Sequence, residues 1–331
     1  MKKWTADKLL ELGRSYQAAA VFLAAAELDL FSVLASAPCT AKALARMVKC
    51  NPRGIVTLLD ALTALQVLKK AGNNYKLTSG TREFLISQSK KSILAITQHQ
   101  ANCLRNWSQL AQVVKTGHPA EKVPSLRGAS GDAASFIGGM HNLAWANAEK
   151  VIHAMQPFQF THLMDVGGAS GTWTMAFLRA CPKGTATLFD LPHVIPMAKE
   201  RLSNAGMLKR VKLVSGDFMA DRLPGGADLV WLSAIVHQNS RRQNRQLFAN
   251  IYQAMVPGGR IGIRDIVMEA NRVQPASGAL FAINMLVATK GGGTYTLAEL
   301  EEDLCAAGFI DVRLLRTDEG MNAVAGATKP R

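Results

Sequence analysis

The sequence predicts an α/β protein: a mainly helical N-terminal part with a winged-helix pattern, followed by a mostly parallel sheet that ends antiparallel. Three observations carry this. After Phe160, short apolar strands alternate with helical stretches, as in parallel sheets covered on both faces. The last two strands, "DVRLLRT" and "NAVAGAT", are separated by too few residues for a crossover helix, so they should pair with each other antiparallel. Before residue 90, two short helices and a two-stranded hairpin follow one another closely.

In chain order, apolar residues at helical spacing run from Leu9 to Leu34, with Phe22, Leu23, Leu30 and Phe31 turned to a core. Lysines open the chain as in a signal peptide. However, Asp7, Glu11 and Arg14 precede the apolar run 18–26, and Glu27 and Asp29 follow it, which argues against a cleavable signal or a membrane span. Thr40 caps a short helix through Met47. Asn51, with Pro52 at the first helical position, starts a second helix through about Val67, and "VLKKAGNNYKLTS" forms a hairpin turning at Gly72-Asn73-Asn74. Helical patterns follow over 92–115 and 135–157, joined by the loop-like "KTGHPAEKVPSLRGASGD". Seven strands then follow: "HLMDVG", "ATLFD", "VKLVSGD", "ADLVWLSAIV", "RIGIRDIVM" and the final pair. The expected domains are 1–95 (winged-helix-like), 96–157 (helical linker) and 158–331 (sheet).

The chain has 331 residues, and its 38 Lys and Arg against 24 Asp and Glu give a formal charge of +14. That charge invites a nucleic-acid reading, which the distribution weakens: half of the excess, +7, falls in the first 90 residues, and the question narrows to what they do. A groove-reading helix must present polar groups to base edges. The helix from Pro52 instead carries Ile55, Val56, Leu58, Leu59, Leu62, Leu65 and Val67 around most of its circumference, as in a subunit interface. Cys39, Cys50, Cys103, Cys181 and Cys305 are widely spaced without a CxxC pair, pointing to a reducing cytoplasm with no disulfide framework or structural zinc.

The first strand of the sheet runs straight into "DVGGASG". Ligands of open parallel sheets bind beyond the carboxyl ends of the strands. A dinucleotide enzyme would show GxGxxG, but counting from Gly167 the third position is Ala169 and the sixth Thr172, which disfavours a nicotinamide oxidoreductase. The tight turn at Gly167 and Gly168 lets a ligand approach the backbone. Asp190 ends the next strand and Asp217 the one after, where carboxylates suit ribose hydroxyls and an adenine amino group. Each also has the ordinary alternative of capping a turn. Together they describe an adenosine site without a phosphate grip.

"LMDVGGASG", "FDLPHVI", "SGDFM", "VPGGRIGI" and "GGGTYTLAELEEDLCAAGF" resemble, in order and spacing, the S-adenosylmethionine-dependent small-molecule O-methyltransferases of the caffeate and hydroxyindole type. The resemblance covers nearly the whole chain and is strongest from about 160 to 310. It implies a Rossmann-like seven-stranded methyltransferase sheet and an N-terminal winged-helix domain that holds a homodimer together. It implies cofactor contacts at Asp165, Gly167, Gly168, Asp190, Leu191, Asp217, Phe218 and Ser233. His237, in "LSAIVHQNSRRQ", matches the family's catalytic base and Asp265 the acid that orients it. A second orienting acid of the family is replaced by Thr294, and His-Asp-Trp is replaced by His237-Gln238-Asn239. Met285 matches a pocket methionine, and Trp145, His141 and Asn284 join it by location. Arg241 and Arg242 read as a solvated helix start.

No carboxylate cluster calls for a metal. The expected reaction is metal-independent methyl transfer to a hydroxyl of a small acceptor. A phenol, with a pKa of about 10, needs a base, and histidine is suited to that work. Transfer to a thiol or carbon remains open, as does a DNA-binding regulator that senses an adenosine ligand.

Overall fold

In a computed structural model, residues 3–145, 147–155 and 159–331 are described. They form two units, residues up to Ser108 with Glu121–Leu143, and Gln109–Ala120 with Ala144–Arg331. The predicted boundary at 157–158 falls outside the described residues.

In the first unit, helix starts follow the predicted caps. Thr40 Oγ1 accepts from Ala43 N (3.2 Å) to begin Ala41–Met47, and Asn51 Oδ1 accepts from Gly54 N (3.1 Å) to begin Pro52–Ala64. The hairpin Leu68–Ala71 with Asn74–Leu77 turns at Gly72-Asn73, so Asn74 belongs to the second strand, and Cys39–Thr40 pairs on its far side. Leu30, Phe31, Leu34, Leu44, Ile55, Leu59, Leu62 and Tyr75 make the core. The helix Pro52–Ala64 buries one face and leaves Val56 exposed, as is Leu65 at its C-terminal cap. The helical run expected from Leu9 breaks into Ala6–Arg14, Tyr16–Glu27 and Leu30–Ser36, and the first of these buries nothing.

Two other expectations change. The pattern over 92–115 divides into Leu94–Trp107 and Leu110–Thr116. The helix Gly128–Trp145 starts inside the stretch read as loop, and Ala148–Ala154 follows it.

The second unit holds the sheet: β1 (His162–Val166), β2 (Thr185–Asp190), β3 (Val211–Ser215), β4 (Ala227–Ser233), β5 (Met255–Asp265), β6 (Ile310–Arg316) and β7 (Ala323–Thr328). Their spatial order is β6-β7-β5-β4-β1-β2-β3, with β7 antiparallel to both neighbours and the other pairs parallel. The order reverses at β1, between β4 and β2, so the site-forming crevice lies beyond Val166. Trp173, Phe177 and Trp231 pack in one apolar cluster, and Phe189, Phe248, Leu304 and Phe309 in another. β4 is shorter than predicted because Ala234 adopts a left-handed φ of 58° and Val236–Gln238 forms a 3-10 turn. Among the described residues, no single helix is long and apolar enough to cross a membrane.

Candidate active site

The turn after β1 is built by close approach. Gly167 has φ 69°, its N–H donates to Phe189 O (2.8 Å), and a Cβ there would lie 2.7 Å from Ile235 Cδ1. A Cβ on Gly168 would meet Leu188 Cγ at 2.7 Å. The turn continues through Ala169, whose N–H donates to Asp190 Oδ2 (2.7 Å), while Leu191 N–H donates to Asp190 Oδ1 (2.7 Å). Asp190 thus ties β2 to the glycine turn, and each of its oxygens keeps a lone pair for a ligand hydroxyl. Burial pushes its carboxyl above the usual carboxylate range, against the pull of these two N–H groups.

Phe218 is half-buried beside the turn, its Cε1 3.7 Å from the place of a Gly167 Cβ. Asp217 is exposed and braces its own loop, accepting from Met219 N at 2.9 Å. Leu191 is exposed. The structure therefore gathers Gly167, Gly168, Asp190 and Phe218 at one place, with Asp217 at the adjoining strand end.

Asp165 is directed differently. Its Oδ2 accepts from Thr174 Oγ1 (2.6 Å) and N (3.1 Å), beneath the helix Thr172–Ala180, and among the described residues its buried Oδ1 has no partner. Burial pushes this carboxyl up to about 7. Ser233 Oγ accepts from Arg264 Nη1 (3.0 Å). The cradle that a Cβ would fill and the carboxylate of Asp190 suit an adenosine-bearing ligand pressed against backbone.

Beyond β4, Asp265 and His237 meet. Nδ1 of His237 lies 2.8 and 2.9 Å from the two oxygens of Asp265, and both side chains are buried. Asp265 also accepts from Ile266 N (2.8 Å) and His237 N (3.3 Å), which fixes the carboxylate. A carboxylate only accepts, so Nδ1 carries the proton and Nε2 keeps its lone pair. Among the described residues, no group hydrogen-bonds to Nε2. The Phe281 ring stands edge-on to the imidazole, with centroids 4.9 Å apart.

Phe281 escaped the sequence reading, although it lies on the helix Ala276–Ala288 one turn before Asn284 and Met285. So did Gly292, where a Cβ would come 2.4 Å from His237 O; Gly293 N donates to that same oxygen (2.9 Å). The run of three glycines was the available signal.

The other predicted residues divide. Met285 is buried and Asn284 half-buried on the helix that carries Phe281. Trp145 packs its ring 5.8 Å from the Arg179 guanidinium, and His141 belongs to the first unit. Thr294 is buried, and its Oγ1 lies 3.4 Å from Gly278 O. Asn239 turns into its own loop, where Nδ2 bonds Asn244 Oδ1 (3.1 Å) and its carbonyl accepts from Tyr295 OH. Gln238 reaches back to Ala234 O (2.9 Å). Arg241 is no solvated helix start: it pairs with buried Asp303 (2.8 Å) and with Glu302. Among the described residues, no group of three His, Cys, Asp or Glu could hold a metal ion.

A Rossmann-like sheet with this turn and strand-end acids defines an S-adenosylmethionine-dependent methyltransferase. The sequence matches the O-methyltransferase domain over residues 107–310 and the O-methyltransferase dimerisation domain over residues 10–87. The chain belongs to the O-methyltransferase family, whose members act on small molecules. It is 30% identical to the tetracenomycin polyketide synthesis 8-O-methyltransferase TcmO of Streptomyces glaucescens, covering 98% of this chain and 96% of that one. Identity is 31% to the 3-hydroxy-5-methyl-1-naphthoate 3-O-methyltransferase of Streptomyces sahachiroi, over 92% and 90% of the two chains. Human N-acetylserotonin methyltransferase in complex with S-adenosylmethionine superposes with a TM-score of 0.84 at 26% identity, covering 100% and 99% of the chains. LaPhzM shares the fold, with a TM-score of 0.87 at 24% identity over 98% and 99%.

Proposed function

We propose that the enzyme methylates a phenolic hydroxyl of a small aromatic acceptor, with His237 as general base and Asp265 as its orienting acid. The observation that carries this is the buried His237–Asp265 pair, with Nδ1 held at 2.8 and 2.9 Å and Nε2 left for a substrate proton. The relative named for 3-O-methylation of a hydroxynaphthoate supports an aromatic hydroxyl as the acceptor.

S-adenosylmethionine, when bound, supplies a methyl group on an electrophilic sulfonium. Gly167 and Gly168 would admit it to the backbone, Asp190 would accept from its ribose hydroxyls, and Asp217 with Phe218 would meet the adenine. Asp165 and Ser233 support the turn and the end of β4, and Leu191 would flank the ribose. Nε2 of His237 would take the phenol proton as the acceptor oxygen receives the methyl group, the electron pair of the donor's carbon–sulfur bond leaving with the sulfur. The imidazolium so formed is stabilised by Asp265. Phe281 and the Gly292 contact fix the ring and its backbone. Asn284 and Met285, with Trp145, are proposed to line the acceptor pocket. The domain over 1–95 is proposed to form a homodimer, for which exposed Val56 and Leu65 are better suited than for base edges.

The test measures S-adenosylhomocysteine release with matched phenol and thiol acceptors. His237→Ala should lower the rate with phenols by roughly 10²–10⁴ and that with thiols, whose pKa is about 8.5, far less. Undiminished turnover of phenols by His237→Ala sinks the proposal.

A further inference from the structure

Arg264 lies next to Asp265 in the chain, and its side chain is not used by the mechanism above. It is 5% exposed near the carboxyl end of β5, and among the described residues it forms no ion pair. Arg316, the nearby cation, is neutralised by Asp318 at 3.0 Å. Arg264 is instead held by neutral groups. Nε donates to Asn322 Oδ1 (3.0 Å), Nη1 to Ser233 Oγ (3.0 Å), and the guanidinium lies 4.7 Å from the Trp173 ring centroid. Asp318 shapes the loop that presents Asn322, accepting from Gly320 N (2.9 Å) and Asn322 N (3.3 Å).

An interior cation without a direct ion-pair partner is a costly arrangement, and stacking on an indole only partly offsets it. Burial pulls the Arg264 pKa down to about 10, against the more distant carboxylates of Asp265 and Asp318. The donors are unevenly used. Nη2 donates to no described group and is not among the sealed, unpartnered atoms. The edge formed by Nη1 and Nη2 therefore keeps hydrogens for a planar acceptor, with the plane of the fork fixed by Ser233, Asn322 and Trp173.

This edge is also placed near the chemistry. Trp173 is on the helix that follows the glycine turn, and Ser233 ends β4. Ala234 N, at the entry to the His237 turn, donates to the carbonyl of Arg264 itself (2.8 Å).

We propose that Arg264 is a carboxylate-binding residue of the active site, its Nη1/Nη2 edge forming a two-pronged charge-assisted contact. The carboxylate comes either from the amino-acid tail of the methyl donor or from an acid group on the acceptor. The second case would make the acceptor class hydroxyaryl carboxylic acids. The proposal rests on the methyltransferase site described above.

Calorimetric titration of the full chain separates these sources. S-adenosylhomocysteine is compared with 5′-methylthioadenosine, which lacks the tail. In the presence of saturating S-adenosylhomocysteine, the three hydroxybenzoates are compared with phenol. Arg264→Met should weaken the carboxylated member of one pair by about 10- to 100-fold and leave its uncharged counterpart unchanged. Loss in the first pair assigns the donor tail, and loss in the second assigns the acceptor. Arg264→Lys keeps the charge without the fork and should show a smaller loss of the same selectivity, so a poorly folding methionine variant does not close the question. Equal losses for charged and uncharged ligands, or no loss in either pair, overturn the proposal. Wild-type protein that binds neither adenosine ligand overturns the donor site instead.

Discussion

Replacing Asp265 by asparagine removes one negative charge from the catalytic pair and changes almost no volume. The wild-type carboxylate accepts from Nδ1 with both oxygens, at 2.8 and 2.9 Å, while also serving Ile266 N and His237 N. Asparagine keeps one accepting oxygen where Ile266 N uses one carboxylate oxygen and His237 N the other. With that oxygen held by the shorter Ile266 bond, the amide NH2 takes the other place, beside Nδ1 and His237 N, and can only donate. The imidazole must accept there, and its proton moves to Nε2, the atom that should receive the substrate proton. The imidazolium also loses a charged hydrogen bond, an effect of about 1.5–3 kcal/mol, or roughly 10- to 150-fold.

With the tautomer reversed as well, the total should approach the whole contribution of a general base, roughly 10²–10⁴ in kcat/KM. The assay follows S-adenosylhomocysteine release across a set of phenols of graded acidity. The deficit should shrink as the phenol becomes more acidic, because an already ionised oxygen needs no base. S-adenosylhomocysteine affinity should stay as in the wild type. A deficit independent of acceptor acidity would show that Asp265 shapes the site rather than the protonation of His237.

Two further outcomes follow from the geometry. Gly292→Ala places a methyl 2.4 Å from the His237 carbonyl, a backbone atom that cannot swing away, so kcat should fall while calorimetric binding of S-adenosylhomocysteine is retained; unchanged kcat would refute the contact. Asp165 has a folded pKa of about 7, above its ordinary 3.8, so the folded state binds more protons than the unfolded state between those values. Stability is therefore lost as pH rises across that window and levels off above it, with a total of about 4 kcal/mol for three pK units. Asp165→Asn keeps an acceptor for Thr174 and removes the titration. Its melting temperature relative to wild type should rise from pH 4 to 7 and then hold, and a pH-independent difference contradicts the assignment.

What the sequence made legible was what local chemistry decides. Capping at Thr40 and Asn51, the strand alternation after Phe160 and the antiparallel closing pair depend on neighbours in the chain. The His237–Asp265 pairing was legible through the family resemblance, and the structure supplies its physical basis: the two residues follow the carboxyl ends of adjacent parallel strands. Features set by distant packing were not legible. The helix Gly128–Trp145 begins in a stretch rich in Gly and Ser, a composition that locally favours a loop. It is nonetheless helical, with Ser135 and Gly139 buried and a Gly139 Cβ only 3.0 Å from Ile96 Cα. The family resemblance drew attention to Asp165, but that its Oδ2 accepts from Thr174 was not legible in the sequence. Gln238 and Asn239 stand where the family has Asp-Trp, and nothing in the sequence signalled that Asn239 turns to Asn244 and accepts from Tyr295. Rotamer and partner are choices that spacing does not encode.

The position of β7 bears on how the enzyme is made. Its six residues lie between β5 and β6, with Ala323 opposite Asp265. The strand that completes the interior of the sheet is thus translated after every strand it joins. Until it inserts, β5 is an open edge, and the neighbouring Arg264 lacks the side chain of Asn322. The fold around the catalytic acid must therefore be sealed after synthesis of the earlier strands. A nascent chain stalled before residue 323 would present an unpaired strand edge. Chaperone engagement during translation is expected to fall on that edge and to end when the closing hairpin docks.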